Sequence, residues 1–212
     1  MPLTLYLLRH GETEASRTGG YCGITDIALS DNGHLMAEDF AAAYQDHPFQ
    51  AVYCSPMLRT RATVEPLCRL NGLEPKLRDG LRELEYGLWE GKSPEEVDRD
   101  HRKDYLPWLA DAGWNAPTGG ERGVDVGLRA MGVLNEIGRE HSDGDVLVVS
   151  HKATIRILLC QLLGIDLGRY RDRVHVSVAS LSVVEMREHG PLLTRMGDRA
   201  HLRPMLRELP GT

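Results

Sequence analysis

The chain has 212 residues, 42% of them hydrophobic and 26% charged, a composition that excludes a fibrous repeat and a disordered protein. Its formal net charge of -6 argues against a general nucleic-acid-binding protein, although a local arginine cluster would still accept an anionic substrate. No apolar run approaches the ~20 residues that span a bilayer. The N-terminus also lacks a basic region followed by an apolar core, so we expect a cytoplasmic protein without a membrane partner.

Compact apolar runs, each near a turn or a polar break, predict the β-strands. Three of them are Leu3–Leu8, Ala51–Cys54 and Val146–Val149. Two later strands are predicted at Val176–Met186 and Leu192–Met196, on either side of a turn at 189–191.

Helical patterns lie between these strands, and three of them carry an end signal. The predicted helices are Leu35–Tyr44, Met57–Leu70, Asp125–His141 and Ala153–Leu163. Capping residues at 30–33 precede the first helix, Pro56 suits the first turn of the second, and Gly164 ends the fourth. Because strands and helices alternate, we predict an α/β protein, a three-layer α/β/α sandwich around a mostly parallel central sheet.

The segment at about 86–122 differs from this alternation. It holds all three tryptophans and ends in a turn-rich stretch at 115–120. We predict a lid-like insertion that covers the sheet edge, within a single domain spanning residues 1–212. An aromatic lid would bind a ring or sugar on the substrate, but packing against the sheet is the favoured interpretation for most of the aromatic residues Trp89, Tyr105, Trp108 and Trp114.

Polar residues stand where three of the predicted strands end. Arg9, His10 and Gly11 follow the first strand, Arg59 lies early in the helix after the second, and His151 follows the third. The carboxyl ends of parallel strands meet at one sheet edge, where open α/β sheets bind their ligands. Arginine offers a fork of donors suited to phosphate, and histidine acts as a nucleophile or acid–base group near neutral pH. The pattern predicts phosphoryl chemistry on a histidine.

Transfer of a phosphoryl group to histidine needs a proton for the departing alcohol, and a carboxyl group can supply it. A carboxyl group beside a phosphate dianion holds its proton more tightly, because a like charge disfavours ionisation. Glu83 and Glu85 are the candidates, and their spacing does not choose between them. The four cysteines form no close pair, which argues against a zinc ribbon or a redox dithiol.

Taken in order, these motifs resemble those of the histidine phosphatase superfamily, also called the phosphoglycerate-mutase-like family, over nearly the whole chain. The matching segments are 9–13, 23–33, 55–63, 81–91, 117–121, 150–151 and 197–202. The resemblance implies a phosphoglycerate-mutase-like fold, with neither metal nor cofactor. It also implies the roles of the core residues: His10 is the phosphorylated nucleophile, Glu83 rather than Glu85 is the proton donor, and Arg9, Arg59 and the catalytic His151 bind the phosphate.

Several positions depart from the usual pattern of that family. Ala15 and Ser16 stand where many members carry Trp-Asn, and Lys152 stands where a glycine often follows the second histidine. Lys152 either reaches a second acidic group on the substrate or points to solvent, with solvent slightly favoured. Arg156 either lies near the mouth of the pocket or pairs with a helix carboxylate. The candidate substrate-binding residues are Ser16, Tyr21, Cys22, Gly23 and Lys152.

The resemblance implies a metal-independent phosphomonoester hydrolase that acts through a phosphohistidine on a small phosphorylated metabolite. A cofactor-dependent phosphoglycerate mutase is the alternative. It is disfavoured because the insertion is short and offers Arg99, Arg102 and Lys103 without an adjacent arginine pair. A catalytically inactive binding protein is less favoured still, because all five core residues are present. We expect a small phosphorylated metabolite as partner, no nucleic acid, and a homodimer.

Overall fold

A central sheet of six strands organises residues 2–209, the part of the chain that the computed structural model describes. The strands are β1 (Leu3–Arg9), β2 (Phe49–Cys54), β3 (Pro75–Leu77), β4 (Gly144–Ser150), β5 (Leu181–Arg187) and β6 (Gly190–Asp198). Their order across the sheet is β3-β2-β4-β1-β5-β6. The two ends of the predicted 1–212 domain, Met1 and residues 210–212, lie outside the described residues.

The pairing of the strands confirms a mostly parallel sheet. β3, β2, β4 and β1 run parallel to one another, whereas β5 and β6 are antiparallel additions at one side. β1 and β4 pair in a register that places Arg9 opposite Ser150. His10 and His151 each follow one residue later, so both leave the sheet at the same edge, as the strand-end pattern predicts.

Helices cover both faces of the sheet. They are α1 (Glu14–Thr18), α2 (Asp31–Tyr44), α3 (Leu58–Asn71), α4 (Pro94–Asp100), α5 (Arg102–Ala110), α6 (Gly123–Glu140), α7 (Lys152–Leu163), α8 (Tyr170–Arg173) and α9 (Pro204–Arg207). Leu5 and Leu7 of β1 pack in one apolar cluster with residues of α6 and α7, while Leu8 packs with residues of α2 and α3. This alternation along one strand confirms the three-layer sandwich, because successive side chains of a strand point to opposite faces.

The four predicted helices are present, with ends that shift by a few residues. The Ser30 hydroxyl accepts the Gly33 N–H at 3.1 Å and caps α2, as predicted. The prediction for Pro56 is wrong, because α3 begins only at Leu58, after an extended Met57. The Asp26 carboxylate accepts the Leu58 N–H at 2.8 Å, so a distant loop, rather than Pro56, defines where the helix starts.

The fourth predicted strand begins later than its sequence indicates. Only Leu181 onward is strand, and residues 176–180 form a buried turn in which Ala179 has a left-handed φ of 50°. The Ala179 N–H donates to the His10 carbonyl, and the Arg9 guanidinium donates to the Val176 carbonyl. The apolar residues of this stretch are buried against the core as a turn, which explains why their pattern imitates a strand.

The aromatic residues of the 86–122 segment mostly pack inward. Trp89 and Trp108 are buried, with ring centroids 5.2 Å apart in an edge-to-face arrangement, and Tyr105 lies beside both. All three belong to the same apolar cluster as Leu5 and Leu7 of β1. Packing is thereby confirmed for these residues, whereas Trp114 is 63% exposed. Along residues 2–209, none of the helices combines the length and the apolar character needed to cross a membrane.

Candidate active site

One pocket gathers the polar residues that the sequence places at the strand ends. Arg9, His10, Arg59 and Glu83 line it. His151 is fully buried beside His10, with the two ring centroids 5.2 Å apart. The pocket has a volume of about 150 Å³, which is room for about ten water molecules. The structure therefore brings the five predicted core residues together around a space suited to a small molecule.

The protonation of His10 follows from its neighbours. Its Nδ1 lies 2.8 Å from the Gly11 carbonyl oxygen, which can only accept a hydrogen bond, so Nδ1 carries the proton. Burial, together with the charges of Arg9 and Arg59, holds the pKa of His10 well below its usual value. The ring is therefore neutral at physiological pH and has its lone pair on Nε2, the form that a nucleophilic imidazole requires.

His151 has both ring nitrogens engaged. The Arg59 Nε–H donates to Nδ1 at 3.2 Å, so the neutral ring carries its proton on Nε2 and donates it to the Ser55 hydroxyl at 2.8 Å. Burial and the charge of Arg59 hold the pKa of His151 well below its usual value. Sequence reasoning missed Ser55 as a partner, because a contact across 96 positions leaves no local pattern.

The two predicted phosphate-binding arginines are buried, and backbone carbonyl groups fix their side chains. The Arg59 Nη atoms donate to the Thr25 and Gly23 carbonyls, each at 2.9 Å. With its Nε on His151, three of its five N–H donors are used and two remain for a ligand. Burial, more than any charge, lowers the pKa of Arg9 to about 9, so Arg9 stays cationic at neutral pH. Desolvated guanidinium groups of this kind gain much from an anion.

The Glu83 carboxylate lies at the N-terminus of α7. Its Oε1 accepts the N–H groups of Leu84 and Thr154 and the Thr154 hydroxyl, and its Oε2 accepts the Ala153 N–H at 3.1 Å. Oε2, with a single hydrogen bond, has the greater remaining capacity to carry a proton for a leaving group. Glu85 lies instead beside Glu121, whose carboxylate accepts its backbone N–H at 3.0 Å. Of the two candidate acids, the structure brings Glu83 to the pocket.

Three of the candidate substrate-binding residues lie on the loop and helix that follow β1. Ser16, Tyr21 and Cys22 line the pocket. The Ser16 hydroxyl also accepts the Thr13 N–H at 2.8 Å within the capping box of α1. Ser16 thus has a structural task in addition to its place in the lining.

Gly23 lies behind the pocket, whereas Lys152 belongs to its lining. The Gly23 N–H donates to the Glu90 carboxylate and its carbonyl accepts from Arg59, so Gly23 fixes the loop behind the pocket. The half-buried Lys152 lines the pocket. Lys152 opens α7, and helical side chains lean toward the N-terminus, where the pocket lies. Arg156, one turn later, also lines the pocket.

Two lining residues had no signal in the sequence. Tyr170 and Arg171 belong to the four-residue helix α8, which lies outside all the matching motif segments, and both line the pocket. The Arg171 guanidinium lies 3.9 Å from the centroid of the Trp108 ring, so the 86–122 segment helps to position it. Across residues 2–209, the His, Cys, Asp and Glu side chains nowhere form a group of three or more that could hold a metal ion.

Comparison with known proteins decides the family. A profile of the histidine phosphatase superfamily (branch 1) matches residues 5–199. The chain belongs to this superfamily. It is 31% identical over 198 residues to phosphoserine phosphatase 1 of Hydrogenobacter thermophilus, covering 93% of both chains. It is 32% identical over 173 residues to glucosyl-3-phosphoglycerate phosphatase of Mycolicibacterium vanbaalenii, covering 78% of this chain and 76% of that one.

The solved structure of a phosphoserine phosphatase confirms the fold. Phosphoserine phosphatase of Entamoeba histolytica, in complex with 3-phosphoglyceric acid, superposes with a TM-score of 0.86 at 27% sequence identity. The superposition covers 95% of this chain and 100% of that one. The phosphoglycerate-mutase-like architecture implied by the sequence motifs is therefore confirmed.

The backbone beneath the histidine phosphatase pocket is held by a close contact at Gly11. A Cβ atom on Gly11 would lie 2.7 Å from the Gly33 carbonyl oxygen, a distance that real Cβ atoms do not adopt. We expect Gly11→Ala to lower the free energy of unfolding by about 1–3 kcal/mol, measured by urea denaturation, because the α2 start must move away. Gly132→Ala is the matched control, since nothing lies within 4 Å of its Cβ position in α6. The Gly132→Ala change should raise the free energy of unfolding by at most about 1 kcal/mol, because alanine favours a helix more than glycine does. Equal unfolding midpoints for the two variants would contradict a tight contact at Gly11.

Proposed function

We propose that the protein hydrolyses small phosphomonoesters through a phosphohistidine at His10, without a metal ion or cofactor. The observation that carries this proposal is the state of His10. Its Nδ1 is tied to the Gly11 carbonyl, its ring is neutral, and its Nε2 shares the pocket with two buried arginines, Arg9 and Arg59. An oriented neutral imidazole beside fixed cations is suited to attack on an anionic phosphorus centre.

The first step transfers the phosphoryl group to the enzyme. The Nε2 lone pair of His10 forms a bond to phosphorus while the ester P–O bond breaks in line with it. The departing alkoxide takes a proton from the Glu83 carboxyl group and leaves as the alcohol. Arg9 and Arg59 stabilise the charge on the non-bridging oxygens throughout, because both are already fixed before the reaction starts.

The second step returns the enzyme to its starting state. A water molecule attacks phosphorus and gives a proton to the Glu83 carboxylate, and the bond between phosphorus and Nε2 of His10 breaks. Inorganic phosphate leaves, His10 recovers its lone pair, and Glu83 again holds the proton needed for the next cycle. No electron acceptor or further reactant enters this balance.

Hydrolysis is favoured over mutase activity by the 86–122 segment. Arg99 and Arg102 are two of the cations that the insertion offers for binding a glycerate, and they pair instead with Asp100 and Asp98 on the exposed surface of α4 and α5. The relatives described above are also named as phosphatases, although their named substrates differ. The names therefore support phosphomonoester hydrolysis without fixing the alcohol part of the substrate.

A panel of phosphomonoesters, assayed in the presence of a chelator, tests the proposal. We expect phosphate release from p-nitrophenyl phosphate and from at least one metabolite in the panel. The panel includes 3-phosphoglycerate, with formation of 2-phosphoglycerate followed in the same tube. Conversion between the two phosphoglycerates without phosphate release would identify a mutase instead. A folded protein that is silent on every substrate would contradict the proposed hydrolysis and favour a catalytically inactive binding protein.

Our proposal also covers the domain organisation, the cellular location and the oligomeric state of the enzyme. We propose a single domain over residues 1–212 with a lid-like insertion at 86–122, since Trp89 and Trp108 share the apolar cluster of β1. We also propose a cytoplasmic homodimer that does not bind nucleic acid, in keeping with the net charge of -6. Sedimentation of the purified protein would measure the oligomeric state.

A further inference from the structure

Three more cations line the pocket besides Arg9 and Arg59. Lys152 and Arg156 lie one turn apart on α7, so they share one face of that helix, and Arg171 approaches from α8. Of the described residues that line the pocket, Glu83 is the single carboxylate among five cations. This excess of positive charge is larger than one transferred phosphoryl group requires, because Arg9 and Arg59 already serve it.

Two of the three additional cations, Lys152 and Arg156, lack polar partners among the described residues. Within residues 2–209, the Lys152 and Arg156 side chains make neither a hydrogen bond nor a salt bridge, and Arg156 Nε is buried without an acceptor. The hydroxyl of Tyr170, a residue only 1% exposed, is also buried and unpartnered in the same lining. Several arginines outside the pocket pair with carboxylates, as Arg122 does with Asp125. Buried donors that are left unsatisfied destabilise the folded protein, and an acceptor on a ligand would remove that penalty.

The same cluster is electrostatically strained when the pocket holds no anion. Burial, followed by the charges of Arg9, Arg156 and Arg171 and opposed by Glu83, lowers the pKa of Lys152 to about 7. Burial and Arg171 also lower the pKa of Arg156. Arg171 does not swing away, because its guanidinium lies over the Trp108 ring. An anion bound among these side chains would relieve their mutual repulsion.

We propose that Lys152, Arg156 and Arg171, together with the Tyr170 hydroxyl, bind a second anionic group on the alcohol part of the substrate. The ligand chemistry is a carboxylate or a second phosphate carried by a small phosphomonoester. This inference rests on the proposed phosphatase function and narrows its substrate class. Charge-assisted hydrogen bonds from two or three fixed cations would then discriminate against neutral alcohols of the same size.

Matched substrate pairs measure this discrimination. 3-Phosphoglycerate and glycerol 3-phosphate differ by a carboxylate in place of a hydroxymethyl group, and fructose 1,6-bisphosphate and fructose 6-phosphate differ by one phosphate. For at least one pair, we expect kcat/KM to favour the more anionic member by about tenfold or more, since hydrogen bonds to charged groups are stronger than those to neutral ones. The pair with the larger ratio identifies whether the second group is a carboxylate or a phosphate.

The pH dependence of this preference identifies Lys152. Lys152 is charged below its pKa of about 7 and loses its proton above it. Because kcat/KM reports the free enzyme, the preference for the more anionic member should be largest below pH 7 and should fall as the pH rises toward 8. The ratio within a matched pair removes the common ionisation of the transferred phosphate. In Lys152→Met the ratio should be lower and should no longer change over this pH range.

Variants separate the proposed subsite from general charge effects. The double variant Lys152→Met with Arg156→Gln, and Arg171→Gln alone, should each reduce the preference within the responsive pair about tenfold. Arg173→Gln is the matched control, because Arg173 is exposed on the same short helix as Arg171 and lies outside the lining. That control should keep the wild-type ratio. Thermal unfolding of every variant checks that the proteins are folded.

Binding to His10→Ala, measured by calorimetry, tests the subsite without turnover. The more anionic member of the responsive pair should bind about tenfold more tightly, and the double variant in this background should lose that advantage. Ratios near one in both pairs, in turnover and in binding, would overturn the subsite even if the enzyme hydrolyses p-nitrophenyl phosphate. A binding preference that the double variant retains would overturn it as well. Absence of hydrolysis in the wild-type protein, with the binding preference intact, would instead reject the proposed function alone.

Discussion

His10→Ala should lower kcat/KM for p-nitrophenyl phosphate by about 10⁴-fold or more, because removing a covalent nucleophile removes the reaction path itself. The imidazole Nε2 is the atom that receives the phosphoryl group, and an alanine methyl offers no replacement. Steady-state phosphate release in the presence of a chelator measures the effect. Rapid quenching of the wild-type enzyme under alkaline conditions should also trap a phosphoryl group on the peptide that contains His10, since phosphohistidine is labile in acid.

His34→Ala provides the control for this experiment. His34 is an exposed residue of α2, so its replacement removes an imidazole from the surface and should leave kcat/KM within about twofold of wild type. Activity of His10→Ala close to that of His34→Ala would exclude a phosphohistidine at this position. So would a trapped phosphoryl group on any peptide that lacks His10.

Glu83→Gln should divide substrates according to their leaving groups. For alkyl phosphomonoesters, kcat/KM should fall about 10²–10⁴-fold, because an amide cannot protonate the departing alkoxide. For p-nitrophenyl phosphate the loss should stay below about tenfold, because p-nitrophenolate leaves with little need for a proton. Any disturbance of the backbone hydrogen bonds around Glu83 affects both substrate types alike. The difference between them therefore reports proton donation alone.

Glu85→Gln is the control for the acid. Glu85 lies beside Glu121 rather than in the pocket. The Glu85→Gln variant should therefore hydrolyse both substrate types at near wild-type rates. If Glu83→Gln slowed alkyl and nitrophenyl substrates equally, Glu83 would not be the proton donor. A leaving-group effect that appeared in Glu85→Gln instead would transfer the role to Glu85.

The features that the sequence predicted correctly are those encoded within a few neighbouring residues. The apolar run of β1 ends at Arg9-His10-Gly11, and the parallel register with β4 brings His151 to the same edge. Ser30 caps α2 through a contact over three positions. A glycine at this strand end permits another backbone to come close, and the backbone that approaches Gly11 is that of Gly33.

The features that the sequence did not predict depend on contacts between distant segments. Residues 176–180 resemble a strand because they are apolar, but their burial comes from a turn that packs under His10. The start of α3 is decided by Asp26, 32 positions away, rather than by the nearby Pro56. Arg171 has no motif of its own, and the Trp108 ring from another segment helps to hold it at the pocket.

Ser55 and Arg59 together decide which protons His151 can offer to an incoming phosphate. Nδ1 accepts from Arg59 and Nε2 donates to Ser55, so both nitrogens of the neutral ring are engaged. The single N–H of the neutral ring is therefore shared between Ser55 and any anion that enters the pocket. A substitution at Ser55 would release this N–H, so Ser55 acts on the site through the imidazole that it contacts.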